Sequence, residues 1–196
     1  MPLQIGQSSG DYLESQRRIH PLYMGLRVSG QPYAPDAFTQ ANPCNVQVNV
    51  SEKLAGIKTR GVLGGTVAYT RPDAGNGPVG GPPAVYNPRV RVLGLFIADA
   101  SGVPFENLPG VASGQASYYA DGGTYANTLW ETHDLATGTP LEYLPGDEVW
   151  ASKNGLITNV ADDDNTYEQG AGRTLVAILK MVPTVESPFM VFCLRL

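Results

Sequence analysis

Strict alternation of apolar and polar positions marks VQVNV at 46–50, with Val46, Val48 and Val50 on one face, and predicts a half-buried strand. Further strands are predicted over 62–70, over RVRVLGLFIAD at 89–99 (the strongest core segment), and over the last third at 174–182 and 189–196. Gly64-Gly65 inside the first of these predicts a bulge or a close backbone approach. Leu144-Pro145-Gly146-Asp147 suits a type II turn, with Pro and Gly at its two central positions. EVWASK then meets LITNV across Asn154-Gly155, which predicts a two-residue type I′ hairpin with positive φ at both residues. That turn would set Val149 opposite Val160, Ala151 opposite Thr158 and Lys153 opposite Leu156, and send Trp150 and Ile157 to the other face. RPDAGNGPVGGPPAVYNP at 71–88 is half Pro or Gly and is expected to be an exposed loop. Residues 101–127 are mixed, with turn chemistry at Pro109-Gly110 and Asp121-Gly122.

Residues 1–45 show neither helical nor alternating periodicity, yet carry Tyr12, Leu13, Ile19, Tyr23, Leu26, Tyr33 and Phe38 among Gly, Pro and Ser. Asp11 would cap one short helix running to about His20. A segment this irregular and this apolar reads as an arm that orders on another surface, either a partner or the protein's own body. Its expected interface residues are Tyr12, Leu13, Arg17, Arg18, Ile19 and Tyr23. The expected organisation is an arm over 1–45 and a β-rich body over 46–196. The fold class is all-β, a sandwich or small barrel behind an extended, mostly irregular arm.

Composition sharpens this reading. The 196 residues include 23 Gly, 16 Pro and 10 Tyr but are only 16% charged, which favours short strands joined by many turns. Residues 131–170 hold nine carboxylates against one lysine, a local −8 within a net charge of −5, so the remainder carries +3. Lys and Arg cluster nowhere beyond Arg17-Arg18, which argues against a nucleic-acid partner. No apolar stretch has membrane-spanning length, and MPLQIGQSSGDYLE lacks the basic and apolar regions of a signal peptide. The expectation is a protein made in the cytoplasm, with Cys44 and Cys193 as free thiols and the Asn49-Val50-Ser51 sequon unused.

Each candidate chemistry fails on spacing. A calcium loop begun at Asp162 needs Gly and Glu where Tyr167 and Arg173 stand, and one begun at Asp163 meets Glu168 and Thr174. Asp162-Asp163-Asp164 therefore reads as a solvated, mutually repelling turn. Gly170-Ala171-Gly172 lacks the third glycine of a dinucleotide fingerprint, because position 175 is Leu. The glycines at 61, 64 and 65 lack the Lys-Ser/Thr of a phosphate loop. No G-x-S-x-G occurs, and His20 and His133 are the only histidines. His133 and Asp134, as strand neighbours, would point to opposite faces. The chain is read as a non-enzyme with no cofactor and no metal; a hydrolase with a distant carboxylate pair is the enzymatic rival. Tyr118, Tyr119, Tyr125 and Trp130 read first as ordinary core and loop packing; a sugar platform or a protein interface is the other reading, which keeps a carbohydrate-binding or adhesin-like β-sandwich as the alternative.

From about Leu135 the cadence ATGTPLEYLPGDEVWASKNGLITNV, an acidic and Gly-rich turn, GRTLVAILKMVP and PFMVFCLRL resembles the cement, or decoration, proteins of tailed bacteriophage capsids. The resemblance covers roughly 60 residues and is carried by turns and alternation. It implies a structural protein that adds to the outside of an assembled shell and fastens neighbouring capsomers. Its implied partner is the major capsid protein, its place the virion exterior. It implies a homo-oligomer, with a trimer matching a threefold position on the shell.

Overall fold

The computed structural model describes residues 18–32, 61–62, 64–72, 79–83, 85–98, 100–101 and 115–196. These residues are nearly all β and contain no α-helix, only a single 3-10 turn at Gly170–Gly172. The strands are β1 (Ile19–Pro32), β2 (Gly61–Val62), β3 (Val67–Thr70), β4 (Val79–Gly80), β5 (Val92–Phe96), β6 (Ala100–Ser101), β7 (Gln115–Asn127), β8 (Glu148–Ala151), β9 (Ile157–Thr158), β10 (Leu175–Met181) and β11 (Met190–Leu194). Nine of them form one antiparallel sheet, in the order β4-β3-β5-β7-β11-β10-β8-β9 with β1 added on β7, while β2 and β6 pair separately.

The sheet curls into a half-barrel because β7 has two wings on the same edge. Its early residues Tyr118 and Tyr119 pair with β5, and its late residues 124–127 pair with β11. The wings then approach one another. Val67 of β3 donates its N–H to the Gly155 carbonyl at 2.8 Å, and the Tyr69 hydroxyl donates to the Ser152 carbonyl. Inside the curl lies the main core, built on Tyr69, Leu95, Tyr125, Ile157, Val176, Leu179, Met190, Phe192 and Leu194. The side chain of Asn127 is buried and spans the wings, donating to the carbonyls of Gly65 and Leu129. A smaller cluster of Ala68, Val79, Phe96, Ala116 and Tyr118 packs separately.

Several expectations change. Ile19–Pro32 is a β-strand, with three register irregularities, where an irregular arm was expected, and His20 is in it rather than at the end of a helix. The predicted strand over 62–70 breaks at Gly64-Gly65, where Gly65 has φ +87 and abuts the Asn127 side chain. Inside the expected exposed loop, Val79–Gly80 pairs with Tyr69 and Thr70, residues 79–83 are buried, and the buried Arg71 donates to the Gly81 carbonyl. Pro and Gly are tolerated there because β4 lies at the end of the sheet. Asp121-Gly122 is a bend within β7, not a turn between strands; Gly122 and Gly123 supply it with φ +66 and +82. The predicted strand over 46–50 and the Pro109-Gly110 turn lie outside the described residues.

The turns of the last third show how one residue decides a register. Leu144–Asp147 is the type II turn expected, with Asp147 N–H bonded to the Leu144 carbonyl and Gly146 at φ +100. The Asn-Gly hairpin differs. Only Gly155 has positive φ (+78); Ser152 N–H donates to the Leu156 carbonyl, and Gly155 N–H to the Ser152 carbonyl. The loop is therefore three residues, Lys153-Asn154-Gly155: a type I turn closed by a glycine in the left-handed region. Trp150 consequently faces Thr158 and Ala151 faces Ile157, a register one step from that predicted, and Ile157 joins Val149 and Ala151 in the core. A Cβ on Gly155 would meet Pro82 at 3.0 Å in addition to the strain of its φ. Gly155→Val is expected to cost about 2–3 kcal/mol and lower the melting temperature by roughly 5–10 °C. A calorimetric scan of the variant checks this, and an unchanged melt would contradict the loop geometry.

Candidate assembly surface

β1 joins the body in an unusual way. It runs antiparallel along the whole of β7, from Ile19 opposite Asn127 to Pro32 opposite Gln115. Ile19 is fully buried in the core, and Val28 packs on the smaller cluster. Between those anchors the strand crosses the fork of β7. Asp121 and Gly123 of β7 pair there with β1, and residues 120–123 pair with neither wing. The backbones come close enough that a Cβ on Gly25 would lie 2.3 Å from the Asp121 carbonyl oxygen and 2.4 Å from Gly122. Gly25 N–H donates to the Tyr125 hydroxyl at 3.0 Å, which ties the crossing to a buried core ring. Burial and that bond raise and lower the Tyr125 pKa respectively, with burial the larger effect.

The consequence is an apolar run presented to solvent. Leu22, Tyr23, Met24 and Leu26 are 62, 74, 56 and 60% exposed, with Arg27 and Ser29 exposed just beyond. Four large apolar side chains in five positions of one edge strand, without a charge among them, form the most concentrated exposed apolar feature among the described residues. Of the interface residues expected from sequence, Tyr23 lies in this run. Ile19 does not: its full burial makes it a core residue with no surface to offer a partner. Arg18 is half-buried beside the start of β1, and its carbonyl accepts the Thr128 N–H. Tyr12, Leu13 and Arg17 lie outside the described residues, as does Cys44; Cys193 is half-buried on β11. Leu22, Met24 and Leu26 were missing from the sequence-derived set, although the unbroken Leu-Tyr-Met-x-Leu run between Pro21 and Arg27 was a usable signal.

The acidic segment is built as a turn that its own side chains hold together. Asp162 Oδ1 accepts the N–H groups of Asp164 and Asn165 and the side-chain amide of Asn165, at 2.7 to 3.0 Å. These bonds, that of the Asn165 side chain foremost, hold the Asp162 carboxyl below the usual range. Asp163 pairs with Arg173 and accepts the Gly170 N–H, and Asp164 is exposed. Asp162 and Asp163 are thus held by separate partners. Among the described residues, no group of three or more His, Cys, Asp or Glu is placed to hold a metal ion.

Glu131 is the buried carboxylate nearest a hydroxyl: Ser152 Oγ donates to its Oε1 at 2.6 Å, and Ser152 Oγ accepts the N–H groups of Asn154 and Leu156. This network braces the β8–β9 loop. Burial raises the Glu131 pKa against the opposing bonds from Ser152 and Asn154. The folded protein therefore holds this proton more tightly than the unfolded chain, and the associated stability is present at low pH and lost as pH rises through the raised value. Melting curves of the protein and of Glu131→Gln should show the wild type losing ground to the variant as pH rises from about 4 toward 7. A constant difference across that range would contradict it.

His133 is exposed, its Nδ1 within 2.9 Å of Thr132 Oγ, and Asp134 instead caps the turn over 134–139 by accepting the N–H groups of Ala136 and Thr137. Tyr118, Tyr119 and Tyr125 are buried and Trp130 packs on the main core, in keeping with the reading of these aromatics as core packing. No helix among the described residues is long and apolar enough to cross a membrane. Comparison with protein-family models, curated proteins and solved structures returns no match to the chain.

Proposed function

We propose that this protein is a structural, non-catalytic subunit that decorates the outside of an assembled phage capsid and fastens neighbouring capsomers. The observation that carries the reading is the exposed, uncharged run Leu22–Leu26 on the edge strand β1. Covering such a run contributes about 25 cal/mol per Å² of apolar area, so an assembly surface needs no chemically special residue. The cadence of turns and strands in the last third, which resembles that of capsid cement proteins, is what favours a capsid shell as the assembly. The reading makes the major capsid protein the partner and the virion exterior the place of action.

The test is co-sedimentation with undecorated shells of a tailed phage. The protein is expected to pellet with the shells, and Tyr23→Lys with Leu26→Lys is expected to weaken that binding without changing the melt. Absence of shell binding, together with binding on a glycan array, would replace this reading with the carbohydrate-binding one.

A further inference from the structure

β1 is the only long strand with an unpaired edge among the described residues; the two ends of the sheet path, β4 and β9, are two residues each. The geometry of that edge limits what can cover it. Register irregularities fall at Leu22 (between Pro21 and Tyr23), between Leu26 and Arg27, and between Val28 and Gln31, so the stretch from Tyr23 to Leu26 is the regular one. Gly25 turns its N–H toward Tyr125 on β7. Alternation along the strand then points the N–H and C=O of Met24 away from β7, into solvent. Pro21 has no N–H to offer, which ends any added ladder on one side, and the irregularity of β1 between Val28 and Gln31 limits it on the other.

We infer that a second copy of this chain covers this edge, by antiparallel pairing of residues 22–26 about a two-fold axis at Met24. The inference rests on the reading of β1 as an assembly surface and names its occupant. The run is self-complementary in that register. Met24 meets Met24 of the second copy, and the exposed Leu26 meets the exposed Leu22. Arg27 falls opposite Pro21, so the two copies bring no like charges together. An edge strand meeting its own copy gives an isologous contact, and the arrangement is two-fold in place of the threefold ring suggested by shell symmetry. A dimer of cement subunits would hold the shell at two points, and the second attachment would be effectively intramolecular.

The test uses the full chain without shells. Light scattering across a concentration series should show a dimer, and Met24→Lys should weaken dimerisation at least about tenfold. In a Cys44→Ser/Cys193→Ser background, Met24→Cys should give a disulfide-linked dimer on mild oxidation. Hydrogen-bonded antiparallel pairs place Cα atoms about 5.5 Å apart, within disulfide reach. Ser29→Cys should not cross-link. Should Met24→Lys fail to fold, cross-linking of the Met24→Cys variant decides the matter. A monomer at every concentration would overturn the inference, as would a dimer that Met24→Cys cannot cross-link. A monomer that still binds shells would leave the proposed function standing without this contact. A dimer that binds no shell would do the reverse.

Discussion

Gly94→Ala is expected to abolish the fold or to cost more than about 3 kcal/mol, the largest effect of a methyl group added at any of the described glycines. Gly94 sits in the middle of β5 with φ +150, and a Cβ there would lie 1.8 Å from the Tyr119 carbonyl oxygen. Neither atom can move cheaply. Tyr119 is paired through its backbone to both Leu95 and Arg27, and its ring is buried against Tyr125, with centroids 4.4 Å apart. Relief requires β5 to separate from β7, which would detach the wing carrying β3 and β4 and expose Val67, Tyr69 and Leu95. Loss of soluble protein, or a drop in the urea midpoint by more than half, is the expected result. A variant melting within a few degrees of wild type would show that the β5–β7 contact is not as described.

Gly25→Val should act more locally and nearly as strongly. Its Cβ would fall on the backbone of Asp121 and Gly122, and the branched side chain leaves no rotamer clear of it. β1 must lift from the bend of β7, breaking the Gly25 bond to Tyr125 and loosening the strand that carries Ile19 into the core. The expected cost is about 2–4 kcal/mol, read as a melting temperature lower by roughly 5–15 °C. Amide exchange should separate this from general damage. Protection should fall along β1 while β10 and β11, which do not contact it through the sheet ladder, keep theirs. Equal loss everywhere would mean that β1 and the body unfold as one unit.

The contrast between β1 and the last third explains what could be read from sequence. β10 and β11 announce themselves because TLVAIL and FMVFCL are apolar runs of strand length bounded by turn residues, and both enter the core. HPLYMGLRV shows no period of two, because alternation records one buried face, and at the fork of β7 neither face of β1 is covered. For the same reason the proposed assembly surface was only partly legible. Tyr23 stood out as an aromatic anchor, but Ile19, four residues earlier, looked equivalent although it is core. The Asn-Gly hairpin was located correctly and its loop length was not, since Asn-Gly suits the first two positions of one turn class and the last two of another. The glycines at 94, 122 and 123 were visible as letters, but their close approaches are long-range and depend on β7 lying beside both β1 and β5.

The central claim, that the free edge of β1 is where this protein assembles, is tested most directly by hydrogen–deuterium exchange of the Met24 and Leu26 amides. Exchange would be followed in the dilute protein, in the concentrated protein and on capsid shells. The account predicts that these amides exchange fast when dilute and become protected on assembly, while the amides of β10 stay unchanged throughout. Equal exchange at Met24 and Leu26 in all three conditions, with assembly verified by sedimentation, would contradict it.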